Sequence, residues 1–153
     1  MNVNEMMWQY FAEINKIPRP SGKEEKIRQY LIDFAKQNDL FYEIDEVGNL
    51  LIRKSATEGR ETEDAVVLQS HLDMVCEKEP DVEIDFEKDA IQTEIVGDWM
   101  KAKGTTLGAD DGIGLAMSMA ILASKDVSHP ALECLFTVDE EVGLLGASAL
   151  KSN

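Results

Sequence analysis

Ala65-Val66-Val67-Leu68-Gln69-Ser70-His71-Leu72-Asp73-Met74 opens as an apolar, β-branched strand and closes on an imidazole and a carboxylate two residues apart. Alternate side chains of an extended segment share a face, so His71 and Asp73 emerge side by side where the strand ends. A neutral histidine is a good zinc ligand, and a carboxylate beside it fixes its tautomer and raises its basicity. Alone, an H-x-D pair is more often an ordinary couple of polar residues. Two acidic motifs further along the chain change those odds.

Upstream of this strand, Met7, Phe11 and Ile14 recur at helical spacing, predicting an amphipathic helix that ends before Pro18. Pro18-Arg19-Pro20-Ser21-Gly22 reads as a turn, and Ser21 with Glu24 has the pattern of a capping box. Ile27, Leu31, Phe34 and Ala35 then mark the buried stripe of a second helix running to about Asn38. Phe41 to Glu46 and Asn49 to Lys54 read as two strands joined by a tight Val47-Gly48 turn.

Downstream, Ile91 to Val96 and Trp99 to Lys101 read as short strands around Gly97, in a charged region to which pattern alone assigns no function. Gly108 to Gly114 is a glycine-punctuated loop opening onto an apolar helix, about Ile113 to Ala123. Leu132 to Val138 is an apolar strand of the kind buried inside a mixed or parallel sheet, with Asp139-Glu140-Glu141 at its end. Gly143 to Leu150 begins a further helix. The order predicts an α/β fold, a mixed, largely parallel sheet flanked by helices, with the reactive residues beyond the strand ends.

The chain has 153 residues, enough for one domain with a real core, and carries 30 acidic against 15 basic residues for a net charge of −15. That balance repels phosphate backbones and anionic lipid, so neither nucleic acid nor a membrane is an expected partner. The first 17 residues lack a signal-peptide pattern and no uncharged run reaches the ~20 residues of a membrane span, which predicts a soluble, cytoplasmic protein. Cys76 and Cys134 are too few for a disulfide framework and read as reduced thiols.

Three sequence-distant groups now belong together: His71 with Asp73, Asp110 with Asp111, and Glu140 with Glu141. Gathering that many carboxylates without cations costs several kcal/mol in repulsion and desolvation, so such a site calls for metal ions or altered protonation. Imidazole with carboxylates suits zinc, and also manganese or cobalt, better than calcium. Each motif has a plain alternative, since Asp110-Asp111-Gly112 can be a helix cap and Glu140-Glu141 a solvated helix start. The Gly108, Gly112, Gly114 spacing fits neither dinucleotide nor phosphate-loop patterns, and His129 reads as a loop residue.

Ser70-His71-Leu72-Asp73-Met74-Val75-Cys76-Glu77-Lys78, Thr106 to Gly114, Thr137 to Gly143 and Ile17-Pro18-Arg19-Pro20-Ser21-Gly22, in that arrangement, resemble the bacterial aminoacyl-histidine dipeptidases. These are also called Xaa-His or cytosol non-specific dipeptidases, and fall among the co-catalytic zinc exopeptidases. The resemblance implies two zinc ions per complete site, with His71 on one, Asp110 bridging both and Glu141 on the second. It makes Asp73 the residue that orients His71, Glu140 the general base, and the Asp110-Asp111 peptide bond cis. Dipeptides, including those ending in histidine, are the implied substrates.

Members of that family are much longer, with a further aspartate ligand, a lid or dimerisation domain and a distal histidine ligand. The resemblance therefore predicts that residues 1–153 are the N-terminal part of a metallopeptidase catalytic domain, inactive alone, with a homodimer open to the full-length protein. Two rivals stand beside it. One is a non-catalytic module that self-associates or binds a partner through its sheet surface; the other is a plain acidic metal-binding domain.

Overall fold

A computed structural model describes residues 2–151. Helix α1, Val3–Ile14, begins at a capping box in which Asn2 Oδ1 accepts the Glu5 N–H and Glu5 Oε2 accepts the Asn2 N–H. Phe11 and Ile14 are buried on its inner face. Helix α2, Glu25–Gln37, buries Ile27, Leu31, Phe34 and Ala35 as the stripe predicts, and Ile32 with them. The Ser21/Glu24 capping box does not form. Ser21 Oγ donates instead to Asp73 Oδ2, and Glu24 Oε1 accepts the Asp139 N–H, so both side chains serve the tertiary structure rather than the helix start.

Strands β1, Phe41–Ile44, and β2, Leu50–Lys54, form an antiparallel hairpin. Their connection is wider than the tight turn expected: Asp45 Oδ1 accepts the N–H groups of Val47, Gly48 and Asn49, and Gly48 has φ +100°. An aspartate that satisfies three loop amides can close a five-residue turn that a Val-Gly pair alone would not.

Strand β3, Val66–His71, pairs in parallel with β6, Leu132–Thr137, and β6 pairs antiparallel with β2, giving the order β1-β2-β6-β3. The sheet is mixed, as predicted, but of its three pairings only β3–β6 is parallel. β6 lies between two neighbours, which is why its sequence reads as a buried strand. Strands β4, Thr93–Val96, and β5, Trp99–Ala102, form a separate hairpin. Helix α3, Ala109–Ala123, lies between that hairpin and β6 in sequence and packs against α1 and β3.

The core joins Phe11, Ile14, Ile27 and Leu31 from α1 and α2, Leu115, Met119 and Leu122 from α3, and Leu50, Ile52, Cys134 and Phe136 from the sheet. Arg53 of β2 forms ion pairs with Glu43 of β1 and Glu133 of β6. Cys76 and Cys134 are both free thiols. Helix α4, Leu145–Ser148, is shorter than predicted, because Gly143 at φ +121° and Leu144 at φ +58° keep the chain out of the helix before it. His129 lies in a loop but is buried, with Nδ1 2.7 Å from the Pro130 carbonyl oxygen. Among the described residues no helix is long and apolar enough to cross a membrane.

Candidate metal centre

Parallel pairing puts the C-terminal ends of β3 and β6 at the same edge of the sheet, with His71 opposite Thr137 in register. His71 closes β3, and Glu140 and Glu141 lie in the turn beyond β6. Asp110 comes in from the kinked start of α3, where Asp110 and Asp111 have non-helical φ/ψ and the regular helix begins only after them. Ligand atoms of His71, Asp110 and Glu141 all lie within 4.8 Å of one another. His71 Nε2 is 2.9 Å from Asp110 Oδ1 and 3.8 Å from Glu140 Oε2. The His71 side chain is only 7% exposed and that of Asp110 86%, so the imidazole is the root of the cluster and Asp110 its open lip.

Asp73 ties these groups together. It is fully buried, and Oδ1 accepts the Glu140 N–H at 3.0 Å while Oδ2 accepts the Glu141 N–H at 3.1 Å and the Ser21 hydroxyl at 2.7 Å. Its Oδ1 also lies 3.3 Å from His71 Nδ1. Burial would raise its carboxyl, but these hydrogen bonds to the charged form outweigh it and hold Asp73 well below the usual carboxylate range. His71 shows the mirror image. Burial would lower it, yet its hydrogen bonds to Asp73 and Asp110, with the field of the surrounding carboxylates, lift it to about 9.

The glycine loop shapes the third arm. Gly108 precedes α3 at φ +70°, and the Asp110-Asp111 peptide bond is cis. The two aspartates divide the two readings of this motif between them. Asp111 Oδ1 accepts the Gly114 N–H at 3.1 Å, as a helix cap does, and Asp110 is left free to face His71.

The donor set fits a divalent cation. One imidazole and several carboxylates converge with no lysine or arginine side chain paired to Asp110, Glu140 or Glu141 among the described residues. Desolvation first, and then the negative charge of their neighbours, raises the carboxyls of Asp111 and Glu141, which a cation would reverse. Nitrogen with carboxylate oxygen suits zinc, manganese or cobalt. Glu24, Asp73 and Asp139 form a second close trio, but Asp73 there is already saturated with donors and Glu24 accepts the Asp139 N–H.

Sequence reasoning brought together the residues that the fold brings together, and missed the support contributed by the Pro18 to Gly22 turn. From the residues alone Ser21 reads as a cap and Arg19 as a turn residue, and the stretch Ile17 to Gly22 that holds both enters the site only through its resemblance to the dipeptidases, with no role attached.

No protein-family model matches the chain. It is 51% identical over 147 residues, 96% of its length, to the cytosol non-specific dipeptidase of Escherichia coli, of which the matched stretch makes up 30%. The crystal structure of aminoacylhistidine dipeptidase from Vibrio alginolyticus superposes with a TM-score of 0.94 at 44% identity, covering 100% of this chain and 32% of that one. A tripeptidase from Staphylococcus aureus follows at a TM-score of 0.78 and 25% identity, covering 97% of this chain and 40% of that one. The chain thus spans about a third of the length of the dipeptidases it matches, and the resemblance read from its four motifs holds across sequence and fold.

Proposed function

We propose that this chain, a relative over nearly its whole length of the cytosol non-specific and aminoacylhistidine dipeptidases, is the N-terminal part of a metal-dependent dipeptidase catalytic domain. The observation that carries the reading is the meeting of His71, Asp110 and Glu141 donors within 4.8 Å at the strand ends. In this reading His71, Asp110 and Glu141 would hold zinc, with manganese or cobalt as substitutes. Dipeptides are the substrates, in the cytoplasm, with neither nucleic acid nor membrane as partner.

Bound divalent metal would supply Lewis acidity for the peptide carbonyl and lower the pKa of water. The chain's own residues do the rest. Asp73 stays ionised at any physiological pH and holds His71 by Nδ1, leaving Nε2 to face the cluster. Glu140 is anchored through its backbone N–H, while its carboxylate, about a third exposed, reaches toward the cluster. It takes the proton of the attacking water at Oε2 and delivers it to the leaving amine.

The direct test replaces the matched stretch of the E. coli dipeptidase with this chain and assays alanyl-histidine hydrolysis. The chimera is expected to turn over, and Glu140→Gln to lower kcat about 10²–10⁴-fold with metal content unchanged. Full activity in the Glu140→Gln chimera would remove Glu140 from the role of base. The 153-residue chain alone is expected to bind zinc weakly and to show no turnover, because the reading places further ligands in parts of the dipeptidases that it does not span.

A further inference from the structure

Arg19 is 2% exposed, and its guanidinium bonds to backbone rather than to any carboxylate. Nη1 donates to the carbonyl oxygens of Leu72 at 3.2 Å and Asp73 at 2.9 Å, and Nη2 donates to that of Gly108 at 2.5 Å. The Met74 N–H returns a bond to the Arg19 carbonyl oxygen at 3.1 Å, and Pro20 pairs with Met74 in a parallel bridge. One planar fork thus links the segment that follows His71 to the loop that precedes Asp110. These two segments are far apart in sequence; further out they are also joined by the Thr106 N–H to the Glu77 carbonyl oxygen at 2.9 Å and by a bridge between Lys78 and Thr105, so the fork is the tie next to His71 and Asp110 along the chain.

The glycine punctuation of that loop matches the fork. A Cβ on Gly108 would lie 2.6 Å from Arg19 Nη2 and 2.7 Å from Met74 Sδ, and a Cβ on Gly112 would lie 2.7 Å from the same Nη2 and 3.0 Å from Phe11 Cε2. Two of the three glycines whose spacing fits no nucleotide loop therefore leave room for a guanidinium. Desolvation lowers Arg19 to about 10, so it stays charged at neutral pH. A buried charge is costly, and an apolar side chain of similar volume would fill the space more cheaply.

We propose that Arg19 is a positioning residue of the metal centre, whose fork sets the separation between the His71 arm and the Asp110 arm. The inference rests on His71, Asp110 and Glu141 being the metal ligands. Lysine keeps the charge but, as a point donor, cannot span carbonyls on two segments.

The test titrates the 153-residue chain with Co2+, reading affinity and the visible absorption of the bound ion, with far-UV circular dichroism as the check on folding. His71→Ala serves as the reference for the ligand set. Arg19→Lys is expected to weaken Co2+ binding about 10–100-fold and to alter the absorption bands while the fold persists. Gly112→Ala keeps the arginine but pushes on its Nη2 and is expected to do the same, so it decides the matter if Arg19→Lys does not fold. If His71→Ala abolishes binding while both Arg19→Lys and Gly112→Ala bind as the parent chain does, Arg19 is packing only and the proposal is overturned. If His71→Ala leaves binding untouched, the ligand assignment itself is wrong and the positioning role falls with it.

Discussion

Asp73 reaches Glu140 through the backbone, its Oδ1 accepting the Glu140 N–H at 3.0 Å. Because the bond uses the main chain, the Glu140 carboxylate stays available to the cluster, and the same residue also faces His71 Nδ1, with its main-chain carbonyl oxygen at 3.1 Å and Oδ1 at 3.3 Å. One buried carboxylate therefore sets the position of the candidate base relative to a candidate ligand.

Asp73→Asn should separate these groups. The amide offers one acceptor oxygen where the carboxylate offers two, so at least one of the Glu140 and Glu141 N–H donors loses its partner, at about 1–3 kcal/mol for a buried donor. Chemical denaturation is expected to show a loss of that order, and calorimetric titration a metal affinity reduced about 10–100-fold. Unchanged metal affinity in a folded Asp73→Asn chain would detach Asp73 from the site.

Neighbouring aspartates are expected to give opposite results. Asp111 caps α3, so Asp111→Ala should cost about 1 kcal/mol of stability. Asp110 is exposed and its side chain bonds to His71 rather than capping the helix, so Asp110→Asn should change the melting temperature less than Asp111→Ala does and abolish metal binding. The reverse pattern in paired melting and titration experiments would exchange their roles.

His71 should make both stability and metal binding depend on pH, with opposite signs. Its folded value, about 9, lies above the ordinary 6.5, so in the metal-free chain its contribution is fully present below about pH 6.5. That contribution is lost as pH rises through about 9, at most on the order of 3 kcal/mol. Denaturation midpoints should fall across this window and do so much less in His71→Gln. Metal competes with the Nε2 proton, so affinity should rise about tenfold per pH unit up to about pH 9. A flat affinity profile would remove His71 from the ligand set.

The fold was legible where hydrophobic period and local chemistry agree. The stripe of α2 and the apolar run of β6 declare themselves because burial alone dictates those positions. The site was legible because His71, Asp110 and Glu141 carry chemistry that a core does not need. Ser21 misled because a hydroxyl three residues before a glutamate has the same pattern whether it caps a helix or, as here, donates to Asp73 across the fold. Nor could spacing reveal Arg19, whose three acceptors are backbone carbonyls and so leave no mark on the residue types that supply them. The turn before β2 was misjudged for a similar reason, since Asp45 acts through its side chain on amides that any residue could offer.

Zinc-edge anomalous diffraction from crystals grown with zinc would locate the cation that His71, Asp110 and Glu141 are proposed to hold. An anomalous peak is expected about 2.0–2.1 Å from His71 Nε2 and about 2.0–2.2 Å from an Asp110 carboxylate oxygen, with Glu141 closing on the same cluster. A peak confined to Glu24, Asp73 and Asp139, or none within bonding distance of His71 at saturating zinc, would contradict the assignment.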